Sequence, residues 1–207
     1  MKKTIYFMRH SQVLKNVLKE YNNDSLQITN EKSILSIDGE KLADYVSSLD
    51  EFKDIDLVVS SNYVRAMSTA KYFSSKNNCC LVVSDLFGER KHGINSWDEL
   101  ADNFEEKQFN DFDFKVGNGE SLNEVRKRML NGLDIILNNS DYKKVIVVTH
   151  ATCLAAMLSE WCSVSYGGSY KFLNKEFFDG NWDYLETFKL EFDGSKLISI
   201  KNINIDK

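Results

Sequence analysis

The sequence predicts an α/β fold, a three-layer sandwich with a mainly parallel sheet flanked by helices. Three observations carry it. Short β-branched runs alternate with stretches of helical periodicity; the run Val145 to Val148 is wholly β-branched and passes straight into an apolar helical segment; and the pairing of Thr187 to Phe192 with Leu197 to Ile203 across Asp193-Gly194 reads as a closing hairpin. With 207 residues, ordinary apolar and charged content and no low-complexity linker, the chain is read as a single domain spanning 1–207.

The elements follow in order. Thr4 to Met8 is a β-branched and aromatic strand that stops at Arg9-His10. Residues 11–34 are polar and Asn-rich and read as a surface excursion, with a short helix over Val13 to Tyr21. A helix fits Asp38 to Leu49, with Leu42, Val46 and Leu49 on one stripe. Asp56 to Val59 is a strand; Ser60-Ser61 caps a helix through Phe73, whose Ala66, Thr69, Ala70 and Phe73 face inward. Cys80 to Val83 is the next strand. From Phe87 to Gly119 no period holds, apart from a helix over Trp97 to Phe104, so this stretch is an irregular, partly helical lobe over the active-site end of the sheet. Ser121-Leu-Asn-Glu124 is a capping box opening a helix with Leu122, Val125, Met129, Leu133 and Ile136 on one face. The Val145 to Val148 strand ends in Thr149-His150 before the helix of Leu154, Ala155, Leu158 and Trp161.

Composition excludes several function classes. A net charge of -5 gives no general attraction to a phosphate backbone, so nucleic acid is not expected as a partner. No apolar run is long enough for a membrane span or a signal peptide. The four cysteines, two of them adjacent, form neither a secreted disulfide framework nor a CxxC metal pair, so a cytoplasmic chain with reduced thiols is expected. Three histidines and no HExxH leave a catalytic metal cage without ligands: no metal and no cofactor is expected. A cysteine phosphatase needs Cys-x5-Arg, but Asp85, Leu86, Ser159 and Gly168 stand six residues after the four cysteines.

Parallel sheets place their sites at the carboxyl ends of the strands, where helix N-termini offer free N–H groups. His10, Arg65 and His150 all fall at such exits, and Arg9 adds a second guanidinium. Two imidazoles, two guanidinium forks and a helix N-terminus directed at one spot suit a tetrahedral anion such as phosphate.

Arg9-His10 after a strand, Ser60-Ser61-x-x-x-Arg65-Ala66-x-x-Thr69-Ala70, and Thr149-His150 before a helix resemble the histidine phosphatase superfamily, also called phosphoglycerate-mutase-like. Asn16, Leu35-Ser36-x-x-Gly39, Glu89 with Gly93, and Gly119-Glu120-Ser121 extend the resemblance over most of the chain. It implies that His10 is the nucleophile, that Arg9, Arg65, His150 and Asn16 bind phosphate, and that Glu89 supplies the leaving-group proton, with His92 as a rival acid. Ser11 and Ala151 stand where the family most often has Gly, close to the phosphate. The implied activity is hydrolysis of a small phosphorylated metabolite through a phosphohistidine. The alternatives are a cofactor-dependent phosphoglycerate mutase, whose proline-bearing lid the proline-free chain lacks, and a catalytically weak sensor of phosphorylated ligands. Arg90 and Lys91 are expected contacts for a second phosphate; the lobe aromatics, Trp97 through Trp182, are expected to form its core. No oligomeric state is implied.

Overall fold

The computed structural model describes residues 1–15 and 25–205. Its central sheet has the order β3-β2-β4-β1-β7-β8. Strands β1 (Lys2–Arg9), β2 (Leu57–Ser60), β3 (Cys80–Val83) and β4 (Lys144–Thr149) run parallel, and β7 (Thr187–Asp193) and β8 (Lys196–Ile203) extend the sheet antiparallel beyond β1. A separate hairpin pairs β5 (Tyr170–Phe172) with β6 (Lys175–Phe178).

Strand alternation divides the interior into two cores. Ile5 and Phe7 of β1, Val145 and Val147 of β4 and Leu57 and Val59 of β2 face α5 (Leu122–Asn138) and α6 (Ala151–Leu158). Tyr6, Met8, Ile146, Val148 and Val58 face the other way, against Val46 of α2 (Ile37–Ser47) and Ala66, Ala70 and Phe73 of α3 (Val64–Asn77). This is the expected three-layer sandwich. The central strands carry apolar residues on both faces because both faces are covered. The α5 stripe is buried at Leu122, Val125, Met129, Leu133 and Ile136, each contributing roughly 1.5–3 kcal/mol of burial. Its capping box is formed as the sequence predicts: Ser121 Oγ accepts from Glu124 N, and Glu124 Oε2 accepts from Ser121 N. On the same helix, a Cβ at Gly132 would lie 2.5 Å from the Phe87 ring, so the missing side chain lets that ring seat on the helix.

The local departures have physical reasons. Residues 11–34 hold a helix, α1 (Leu26–Lys32), capped by Ser25, and Val13 bridges Leu35 rather than opening a helix. Leu14 and Lys15 are not helical either, and residues 16–21 of the Val13–Tyr21 expectation lie outside the described residues. α3 starts at Val64 behind a Tyr63 N-cap with no side-chain cap bond, because Ser61 Oγ is spent on the Tyr63 N–H and on His150. The Trp97–Phe104 helix is only a 3-10 turn over Trp97–Glu99, closed by a Ser96–Glu99 capping box; α4 (Phe104–Asn110) forms after it. α6 ends at Leu158, before Trp161, which packs against the core.

Candidate active site

The register brings the strand exits level. Arg9 pairs with Thr149, and Ser60 with Val148. His10 N then donates to Thr149 O at 2.9 Å and Ser61 N to Val148 O at 2.9 Å, which carries the alignment one residue past the sheet. The rings of His10 and His150 consequently lie 5.2 Å apart.

His10 is buried, and its Nδ1–H donates to the Ser11 carbonyl at 2.8 Å. That fixes the tautomer with the lone pair on Nε2, which accepts from Arg65 Nε at 3.0 Å. Burial and the Arg65 charge hold His10 well below the ordinary imidazole value. His150 is wholly buried; burial, then Arg65, depress it likewise. Its Nδ1 accepts from Arg65 Nη2 at 3.1 Å, so its Nε2–H donates to Ser61 Oγ at 2.8 Å. Arg65 completes its fork by donating from Nη1 to Asn30 O and Oδ1 at 2.6 and 3.1 Å, tying α1 to the site.

Arg9 Nη1 donates to Trp182 O at 2.8 Å, its guanidinium lies over the Tyr184 ring at 4.8 Å, and its buried Nε has no acceptor among the described residues. An anion is the ordinary acceptor for such a donor. The first turn of α6 adds to this, since His150 makes no side-chain cap, leaving the N–H groups of Ala151 and Thr152 at the cleft.

Glu89 is brought in: its Oε2 lies 3.6 Å from His150 Nδ1 and 3.9 Å from Arg65 Nη2. His92 is not. Its Nε2 accepts from Arg90 Nη2 at 2.7 Å, its ring packs edge-on to Trp97, and burial beside Arg90 lowers its pKa to about 4. Arg90 is itself buried, bonded to Gln108 Oε1 at 2.6 Å and stacked on Phe104, so it offers no second-phosphate contact. Asn16 lies outside the described residues. Ser11 turns its Oγ away from the cleft, onto Gly39 O at 2.7 Å.

A cleft of about 540 Å³ opens above Arg9, His10 and Glu89. Phe109, Tyr166, Tyr170 and Trp182 line it, together with Glu105. This corrects the expectation that the lobe aromatics are core alone, although Phe104, Phe112 and Phe178 do pack inside. Ser61, Asn30 and Trp182 were not expected as site residues; their contacts run across 89, 35 and 173 positions of chain, beyond the reach of local pattern. Among the described residues no group of three His, Cys, Asp or Glu is disposed to hold a metal ion, and no helix is long and apolar enough to cross a membrane.

Residues 5–177 match the family model described as histidine phosphatase superfamily (branch 1). The chain is 24% identical over 169 residues to "Probable phosphoglycerate mutase GpmB" of Erwinia tasmaniensis, covering 75% of this chain and 73% of that one. It is 30% identical over 105 residues to "Uncharacterized phosphatase PhoE" of Bacillus subtilis, about half of each chain (51% and 52%). Its fold matches a mycobacterial glucosyl-3-phosphoglycerate phosphatase with a TM-score of 0.70 at 16% identity, over 98% of this chain and 97% of the other.

Proposed function

The chain belongs to the histidine phosphatase superfamily, branch 1, and from that membership we propose that it is a metal-independent phosphomonoester hydrolase acting on a small phosphorylated metabolite through a phosphohistidine at His10. We read residues 1–207 as one domain, and its four unpaired cysteines support a cytoplasmic setting.

One observation carries the reading most: the Nδ1–H of His10 is engaged by a carbonyl, so the Nε2 lone pair faces Arg65 and the cleft in a neutral ring. An incoming phosphate draws the Arg65 N–H groups onto its own oxygens and frees Nε2. The Nε2–phosphorus bond forms as the phosphorus–oxygen bond to the leaving alcohol breaks, and Glu89 gives that oxygen a proton. Arg9, Arg65 and the α6 N-terminus hold the charge on the three equatorial oxygens, as does His150 once it is protonated. Water then attacks the phosphohistidine, Glu89 takes its proton, and inorganic phosphate leaves.

The recess beyond the phosphate favours water over a second phosphorylated acceptor. Beyond the Arg9 and Arg65 that would grip the phosphate, no lysine or arginine lines the cleft among the described residues, and the outer wall presents aromatics and the Glu105 carboxylate. A mutase handling phosphoglycerate needs cations there for the carboxylate and second phosphate. We therefore read the substrate as a monophosphate with an uncharged or cationic organic part.

The test is turnover of phenyl phosphate and a panel of sugar phosphates by chelator-treated protein, with rapid quench for acid-labile phosphoprotein. Turnover with label lost in His10→Ala supports the proposal. Turnover that needs added metal, or phosphate binding without turnover, removes it.

A further inference from the structure

The loop that presents Glu89 is held at both ends by one ion pair outside the cleft. Arg128 and Glu120 meet fork to fork, Nε to Oε1 at 2.7 Å and Nη2 to Oε2 at 3.0 Å, with both side chains mostly buried. The free arm of Arg128, Nη1, donates to Leu86 O at 2.9 Å, three residues before Glu89. On the other side, Glu120 Oε2 accepts from Lys91 N at 3.0 Å, and Glu120 N donates to Lys91 O at 2.8 Å, two residues after it. Between these anchors, Thr149 Oγ1 donates to Phe87 O at 2.6 Å and Cys153 Sγ to Gly88 O at 3.0 Å. The backbone on each side of Glu89 is therefore tied to α5, to the α5 entry or to the β4–α6 junction.

The same pair is poorly explained as a stability device alone. Arg128 and Glu120 sit eight residues apart and together bridge a third segment of chain, and the Gly119 backbone lies so close to that segment that a Cβ there would fall 2.5 Å from His92 O. Arg128 reaches the loop with the Nη1 that the ion pair leaves free, and Glu120 shares its Oε2 between Arg128 Nη2 and the Lys91 N–H. Arg suits this role because its planar guanidinium grips a carboxylate with two N–H groups and keeps a third for the carbonyl; Lys has no such geometry.

Resting on the reading of Glu89 as the leaving-group acid, we infer that Arg128 and Glu120 are positioning residues that hold the Glu89 carboxyl where it can protonate the departing oxygen. Displacement by about 1 Å is enough to cost a proton transfer on the order of 10²-fold. The loss has a signature, because a leaving group that departs without a proton does not register it.

The experiment compares phenyl phosphate, whose leaving group needs the proton, with 2,4-dinitrophenyl phosphate, whose leaving group does not. Arg128→Met and Glu120→Gln should each lose about 10- to 100-fold in kcat on phenyl phosphate with KM little changed. On the dinitrophenyl ester they should stay within about threefold, and vanadate inhibition should hold within the same margin. Arg128→Lys, which keeps the charge without the fork, should remain at least about tenfold down on phenyl phosphate. Equal losses on both esters, or full rescue by Arg128→Lys, overturn the inference. Glu89→Gln is the reference: selective loss there with none in the Arg128 and Glu120 variants sinks the inference alone. An unselective loss in Glu89→Gln shows instead that the acid assignment has failed, and the inference with it.

Discussion

Arg65 Nε sits 3.0 Å from His10 Nε2, so the guanidinium that would stabilise the transferred phosphoryl group also covers the lone pair that would attack it. The contact keeps the imidazole neutral and aimed. Arg65→Lys keeps a charge but loses the fork that reaches His10, His150 and Asn30 together. Its kcat/KM should fall by roughly 10³-fold or more, within the range seen when an arginine is removed from phosphoryl transfer. Steady-state kinetics at saturating and limiting ester check this; a loss under tenfold would show that charge alone suffices.

Anion binding should be linked to proton uptake. Unliganded His150 is neutral because of burial, Arg65, His10 and Arg128, while Glu89 lies 3.6 Å from its Nδ1. A bound dianion favours the imidazolium. Sulfate, which stays dianionic across the range, should inhibit more tightly as pH falls from 7.5 to 6, by up to about tenfold per pH unit for one proton. His150→Gln should flatten the trend; a pH-independent inhibition constant in the parent protein would exclude the linkage.

Stability should fall on mild acidification. All three histidines have folded pKa values below their ordinary value, so the unfolded chain binds more protons once pH drops below about 6.5. For a lowered histidine the contribution is intact above the unfolded pKa and declines from there toward the folded value, near pH 4 for His92. The slope is about 1.4 kcal/mol per pH unit for each fully buried ring, His10 and His150. Denaturant melts at pH 7.5, 6.5 and 5.5 would show a small loss over the upper step and one about threefold larger over the lower; no change between the last two would contradict the burial of both rings.

Ser11→Gly, which restores the residue more common in the family, should not raise activity. The Oγ bond to Gly39 O lies away from the cleft and joins β1's exit to α2. Losing it, with the added backbone freedom of Gly, should cost about 1–2 kcal/mol in a thermal or denaturant melt. A faster enzyme of unchanged stability would mean that the side chain obstructs the phosphate.

Glu105→Lys should shift preference toward substrates with a second negative charge. The carboxylate borders the recess and is half exposed, and its partner Arg90 lies 3.4 Å away on the buried side. We expect kcat/KM for 4-carboxyphenyl phosphate to rise relative to phenyl phosphate by about three- to tenfold at low salt, with the gain shrinking as salt screens it. An unchanged ratio would remove Glu105 from the recess.

What could be read in the chain beforehand was whatever local chemistry determines. Ser121 and Glu124 announce a helix start by themselves, and the apolar runs Thr4 to Met8 and Val145 to Val148 announce the buried strands whose exits carry His10 and His150. A serine before a helix reads as its cap, but Ser61 Oγ accepts from the Tyr63 N–H and meets the His150 ring 89 residues away. Nothing local announces the β5–β6 hairpin, because its turn puts Leu173 and Asn174 at φ of 50° and 64°, where Asn-Gly is the usual signal and Leu is not. That Glu89 and not His92 stands beside His150 goes with Arg90, whose Nη2 holds His92 Nε2, a contact only the folded chain supplies. Aromatics on irregular segments have no period to say which way they face, so Phe109 and Tyr166 could not be assigned to the cleft.

His10 and His150 follow the two innermost strands, whereas much of the recess wall comes from residues 105–109 and 165–167, which lie outside the sheet. On the proposed reading of the cleft, drift in those outer stretches would alter taste and leave His10 and His150 in place. Substitutions beneath the imidazoles must clear the packing demands of the whole molecule first, so descendants of this chain are freer to change diet than trade.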